Sequence, residues 1–238
     1  VIENRSFDSA RDFFLTALLA VVPNFGAYLN DGGFPRLAEE PKLSIKDFKL
    51  IFLHKVKRMM REVESYCHFN GRIPRIIKMD ARGPLEIMGK FEAVICSPPY
   101  PNRHDYTRVY AVELGTVFLK NNDELKELRR HLFRSHIEAK PSDEISIVDE
   151  VQTFQEILKR ISKAPKSDKR VPPMLRAYFQ DMEKALRSIW EVLKPDGVAA
   201  VVVGNVRFSG VMIPVDEITF FNARKIQFPT QEIWVTFF

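Results

Sequence analysis

"VICSPPYPNRHDYTRVYAVEL" runs from Val94 to Leu114, and the way its first half ends decides the fold. Pro98 and Pro99 carry no N–H donor and cannot continue a sheet ladder. The apolar run "FEAVICS" (Phe91–Ser97) therefore reads as a strand that stops in a rigid turn. From Tyr106 the period changes: Tyr106, Val109, Tyr110, Leu114, Val117 and Phe118 share one helical stripe as far as Leu119. Strand, turn and helix in that order are the building unit of an α/β fold.

The flanking sequence extends the pattern. Upstream, "IPRIIKMD" (Ile73–Asp80) is short and β-branched and reads as a buried strand. Downstream, helical patterns lie around Leu125–Phe133 and Ile147–Ile161, followed by a basic loop, "SKAPKSDKRVPP" (Ser162–Pro173). Tyr178, Met182, Ala185, Leu186, Ile189, Trp190 and Leu193 mark a strong helix. "KPDG" (Lys194–Gly197) reads as a turn. "VAAVVVGNV" (Val198–Val206) is apolar enough for the centre of a sheet covered on both faces. "EIWVTFF" reads as a last strand. Nearer the N-terminus, Phe7, Ala10, Phe13, Phe14, Ala17, Leu18 and Val21 form a helix ended by Pro23, and "NFGAYLNDGGFPR" reads as loop. Ser44 and Asp47 resemble a capping box before a long amphipathic helix through Phe48, Phe52, Val56, Met59, Met60 and Val63. The expected organisation is a helical N-terminal segment (1–70) packing on an α/β domain (71–238), the latter with a helical insertion at about 118–173.

A chain of 238 residues, 45% of them hydrophobic, can bury a sizeable core, and its 19 Phe are expected to fill much of it. A net charge of +5 permits a polyanionic partner without requiring one. Cys67 and Cys96 form no metal or redox pattern and read as reduced, buried thiols of a cytoplasmic protein. Phe13–Val22 is too short to span a membrane.

In a parallel sheet, ligands sit beyond the carboxyl ends of the strands. Asp80, Ser97 and Gly204–Asn205 stand at such ends; the alternative is three ordinary turns. The Ser-Pro-Pro-Tyr turn has lost N–H donors and offers carbonyl acceptors and one hydroxyl. That suits a planar group bearing N–H donors, such as the exocyclic amine of a nucleobase, with Tyr100 stacking on its face. Ser97 has no base at visible spacing, so no covalent nucleophile is indicated. His104, His131 and His136 are scattered, and no metal is assigned.

"SPPY" at a strand end resembles the (D/N/S)-P-P-(Y/F) motif of amino-group DNA methyltransferases. The wider stretch "SPPYPNRHDYTRVYAVEL" resembles the SPPY-x-NR-x-DYTR-x-Y-x-x-EL pattern of a bacterial subgroup. "YFQDMEKALRSIWEVLKPDGVAAVVVGNV" and "FSGVMIPVDEI" continue the likeness, which covers about Ile73–Ile218. The resemblance implies a Rossmann-like class I fold and S-adenosylmethionine as methyl donor. It implies double-stranded DNA as substrate, from which the target base is flipped. The serine form of the motif points to cytosine-N4 over adenine-N6, in a restriction-modification or phage-defence setting. Ser97, Pro98, Pro99 and Tyr100 become the catalytic turn, with the Ser97 hydroxyl and Pro98 carbonyl accepting from the amine. Asp80, Ala81, Arg82, Tyr106 and Glu113 become cofactor contacts; Asp80 as a turn cap and Tyr106 as core are the alternatives. Arg103, Arg108, Lys166, Lys169 and Arg170 become phosphate contacts, or else solvated surface charge.

The sequence departs from the family in three respects. Two strands expected before Ile73 are not seen, and Thr219–Phe228 is too short for the helix and strand expected after "IPVDEI". The glycine-rich cofactor loop is not found: "NFGAYLNDGG" follows a helix and Pro23, not a strand. The first strands of the sheet are accordingly expected outside residues 1–238, or on another chain, or lost together with cofactor binding. A homodimer or a restriction-system partner subunit is compatible with this reading. The competing functions are an RNA amino-methyltransferase and a non-catalytic DNA-binding subunit of degenerate fold.

Overall fold

The computed structural model describes residues 9–25, 28–31, 34–37, 44–66, 76–85, 89–138, 145–229 and 232–235. The elements, in chain order, are α1 (Ser9–Val21), β1 (Tyr28–Asp31), β2 (Phe34–Leu37), α2 (Ile45–Tyr66), β3 (Phe91–Cys96), α3 (Tyr106–Val109), α4 (Ala111–Glu113), α5 (Asn122–His131), α6 (Gln152–Lys163), α7 (Val171–Val192), β4 (Leu193–Val201), β5 (Val206–Phe208), β6 (Val211–Ile213) and α8 (Val215–Lys225). Helix and sheet are mixed, as expected of an α/β chain. The chain divides into two compact units, Val1–Ile76 with Tyr106–Lys126, and Ile77–Asp105 with Glu127–Phe238.

In the first unit α1 packs against α2. The expected capping box forms: Asp47 Oδ2 accepts from the Ser44 amide at 2.9 Å, and Ser44 Oγ accepts from the Asp47 amide at 3.3 Å. Ser44→Ala removes one of these acceptors and is expected to lower the thermal midpoint by about 2–4 °C, read by circular dichroism. Phe48 stacks on Phe52, and Phe25 meets Phe48 edge-on at 4.9 Å. The stretch read as loop contains a hairpin instead, with Asp31 opposite Phe34 and Tyr28 opposite Leu37. Gly32-Gly33 separates the two strands in the sequence, the residue type for a tight hairpin link. The single helix expected over Tyr106–Leu119 is broken into α3, α4 and a π turn at Leu114–Phe118. Thr107, Val109, Val112, Thr116 and Val117 are β-branched and Gly115 is flexible, all weak helix formers.

In the second unit the core lies among helices. Phe154, Ile161, Leu175, Tyr178, Phe179 and Met182 pack with Phe208 and Ile213 of the β5–β6 hairpin. Among the described residues, Phe154, Phe179 and Phe208 are buried and Phe133 packs against them, while Phe14 and Phe118 are exposed. Val171, Pro172 and Pro173, read as loop, form the first turn of α7. Proline is tolerated there because the first helical N–H groups have no partner in any case.

β3 and β4 pair in parallel, Ala93 opposite Val198 and Cys96 opposite Val201. Between Phe91↔Leu193 and Ala93↔Val198 the register shifts. Lys194–Gly197, expected as a turn, is thus an irregularity inside β4. The run Val198–Val206 does not form the expected strand covered on both faces. Val201 and Val203 pack on the helical core, whereas Val198, Val202 and Ile95 are exposed, and among the described residues β4 pairs only with β3. Two other expected strands are not formed where they are described, at Ile76–Asp80 and Glu232–Val235. A strand needs a ladder partner, and Ile76 and Trp234 are 85% and 86% exposed. Ile73–Arg75, Cys67 and residues 236–238 lie outside the described residues. Among the described residues no helix is long and apolar enough to cross a membrane.

Candidate active site

The parallel alignment of β3 and β4 continues past the strands, with the Val202 amide donating to the Cys96 carbonyl at 2.9 Å. Ser97–Tyr100 and Val203–Asn205 therefore leave the sheet side by side. Ser97 is exposed; Pro98, Pro99 and Tyr100 are half-buried. The turn is open, not sealed in the core. Ser97 Oγ lies 3.3 Å from the Tyr100 hydroxyl. Gly204 lies against the Tyr100 ring: a Cβ built there would stand 3.2 Å from both Cδ2 and Cε2. The Tyr178 hydroxyl is buried without a hydrogen-bond partner among the described residues. Burial first, and then the neighbouring Tyr100, push it far above the ordinary phenol range. Burial also raises the Cys96 thiol.

The turn is held from its C-terminal side. The Asn102 amide donates to the Tyr100 carbonyl at 2.8 Å, and Asn102 Oδ1 accepts from the His104 amide. Arg103 adopts a left-handed φ of 67° and donates its amide to Ser135. Its guanidinium lies 5.2 Å from the Phe208 ring centroid. Asn205 Oδ1 accepts from the Asp216 amide, which ties it to the start of α8.

The residues expected at the cofactor divide between the two units. Tyr106 and Glu113 fall in the first unit, where Tyr106 stacks on Tyr110; Arg108, expected at the phosphates, falls there too. Arg82 uses all five of its donors within the protein. Nε and Nη2 bind Asp80, Nη2 also reaches the His131 carbonyl, and Nη1 binds Asp181 and the Leu132 carbonyl. Its guanidinium is thus engaged within the fold. The Ala81 side chain offers only a methyl group. Asp80 follows no strand; hydrogen bonds from Arg82 keep its carboxyl below the usual range. It is thus an exposed, ionised acceptor, the one member of the set in this unit whose chemistry suits the hydroxyls or amine of a nucleoside.

Of the expected phosphate contacts, Lys166 and Lys169 are exposed. Arg170 is gripped by Asp168, whose pKa its hydrogen bonds lower to about 2, with Arg103 adding to the effect. Arg103 and this loop therefore share one electrostatic neighbourhood. The fold also gathers Asp105, His136 and Glu138, with ligand atoms within 4.8 Å of one another, but Arg129 Nε already sits 2.7 Å from Asp105. A groove lined by Gln155, Leu158, Ser162, Pro172 and Arg176 shares no residue with the Ser-Pro-Pro-Tyr turn.

Sequence reasoning missed Asp181. It is buried, and its carboxylate accepts from the Arg134 amide, Arg134 Nε and Nη2, and Arg82 Nη1. The signal was present: an acid three residues after Tyr178 on the apolar stripe of α7.

No protein-family model matches the chain, and no solved structure matches it. It is similar to the Type II methyltransferase M.BsoBI of Geobacillus stearothermophilus, 28% identical over 218 residues, which cover 80% of this chain and 42% of that protein. It is also similar to the Type II methyltransferase M.AvaI of Nostoc sp. and of Anabaena variabilis. Each is 30% identical over 167 residues, covering 63% of this chain and 34% of the relative. The chain spans less than half the length of the curated relatives it matches.

Proposed function

We propose that the chain is the base-binding part of a cytoplasmic, S-adenosylmethionine-dependent DNA methyltransferase that acts on the exocyclic amine of a flipped base, cytosine-N4 in preference to adenine-N6, in restriction-modification. The observation that carries the reading is the open turn itself. An exposed hydroxyl at Ser97, a donor-free Pro98–Pro99 backbone and the Tyr100 ring converge at the end of β3. The similarity to Type II methyltransferases supports it.

The chain's own residues would act by geometry. The Ser97 hydroxyl and the Pro98 carbonyl accept the two amine hydrogens and turn the nitrogen lone pair away from the ring. Tyr100 stacks on the base and holds it out of the duplex. One amine proton leaves to solvent as the methyl is gained. Bound S-adenosylmethionine supplies an electrophilic methyl group, and rate comes from positioning. Asp80 is the residue of this unit suited to hold the donor's nucleoside. Arg103, Lys166 and Lys169 would neutralise phosphates of the duplex backbone.

The test is methyl transfer from labelled S-adenosylmethionine by the full-length protein. Digested duplex DNA is expected to yield N4-methylcytosine. N6-methyladenine alone would reassign the base, and label entering tRNA but not DNA would overturn the DNA reading.

A further inference from the structure

We propose that Gly204 is a positioning residue for the target base, one that acts through Tyr100; this rests on the function proposed above. Glycine is required in a chain for one of two reasons, a left-handed backbone or a close approach. Among the described glycines, Gly89 and Gly210 have positive φ, and Gly204 does not. No left-handed φ calls for glycine there. What excludes a side chain is the ring of Tyr100.

The contact has a direction. A Cβ at position 204 would lie 3.2 Å from Cδ2, 3.2 Å from Cε2 and 3.8 Å from Cγ. An atom approaching the ring's edge at that bond would stand well beyond 3.8 Å from Cγ, so the glycine lies under one face of the ring. That face is closed to a ligand. A base can stack only on the opposite face, the ring's far end being held by Ser97 Oγ at 3.3 Å. Gly204 thus sets the height of the stacking platform relative to the amine acceptors. A methyl group there drives the ring by a few tenths of an ångström into the space the base needs.

Gly204→Ala is expected to lower kcat/KM for duplex DNA about tenfold, since misplacement by 1 Å costs about 100-fold. S-adenosylmethionine binding, followed by calorimetry, should stay unchanged. A double-mutant cycle with Tyr100→Ala in urea reads the contact itself, whatever the activity. Alanine for glycine raises stability where the site has room. The urea midpoint should therefore rise on Gly204→Ala in the Tyr100→Ala background and not in the wild type. An equal rise in both backgrounds, or a Gly204→Ala enzyme with wild-type kcat/KM, overturns this proposal while leaving the methyltransferase reading intact. A full-length protein that methylates no nucleic acid overturns that reading, and the base-positioning role with it, even where the urea cycle shows the contact.

Discussion

Tyr100→Ala is expected to reduce methyl transfer to duplex DNA by at least about 100-fold in the full-length protein. Stacking of one base on an aromatic ring contributes roughly 1–3 kcal/mol, and each 1.36 kcal/mol is about tenfold in rate. Loss of alignment at the amine adds to this, because the ring's hydroxyl contacts Ser97 Oγ. Tyr100→Phe keeps the ring on Gly204 and loses only that hydroxyl, so it should retain activity within about tenfold, the effect of one neutral hydrogen bond. Ser97→Ala removes an acceptor and should fall nearer the alanine variant of Tyr100. Initial rates with labelled donor, beside calorimetry of donor binding, separate these effects. If Tyr100→Ala turned over like the wild type, the turn would not be the site of base binding.

Local signals carried much of this site. Two prolines stop β3 where the ladder must end, and the amphipathic stripe of α7 and the Ser44–Asp47 cap follow from spacing alone. The rest depended on contacts distant in sequence. Ile76–Asp80 has strand composition, but a strand is a paired object, and composition does not say whether a ladder partner stands beside it. The same holds for β4, whose valines are as apolar on the exposed side as on the packed side. Arg82 has the charge of a ligand contact, yet Asp80 and Asp181 consume it from 2 and 99 residues away. Gly204 was visible as a small residue at a strand end. Its meaning required knowing which ring lies above it.

Asp181→Ala is expected to destabilise the fold by about 3–5 kcal/mol, the usual effect of stripping one partner from a buried ion pair. The Asp181 side chain is 2% exposed, and those of Arg134 and Arg82 are 12% and 19% exposed. Without the carboxylate, Arg134 loses the acid it binds and Arg82 keeps only the exposed Asp80. Arg82 also donates to the His131 and Leu132 carbonyls at the C-terminal end of α5, a helix end that favours positive charge. Arg82→Ala should therefore be costly as well, and it releases Asp80. The Asp80 carboxyl, held low first by its hydrogen bonds to Arg82, contributes stability present above its unfolded pKa of about 4 and lost as pH falls through its lower folded value. Arg82→Ala should abolish that acid-side dependence. A domain is stable by only about 5–15 kcal/mol, so either variant should shift the urea midpoint plainly, followed by fluorescence of Trp190 on α7. Arg170→Ala breaks an exposed pair with Asp168 and should leave the midpoint where it was. An Asp181→Ala protein with a wild-type midpoint would mean that solvent reaches both guanidinium groups and that the buried network does not hold α7 to the Asp80–Arg82 turn and the end of α5.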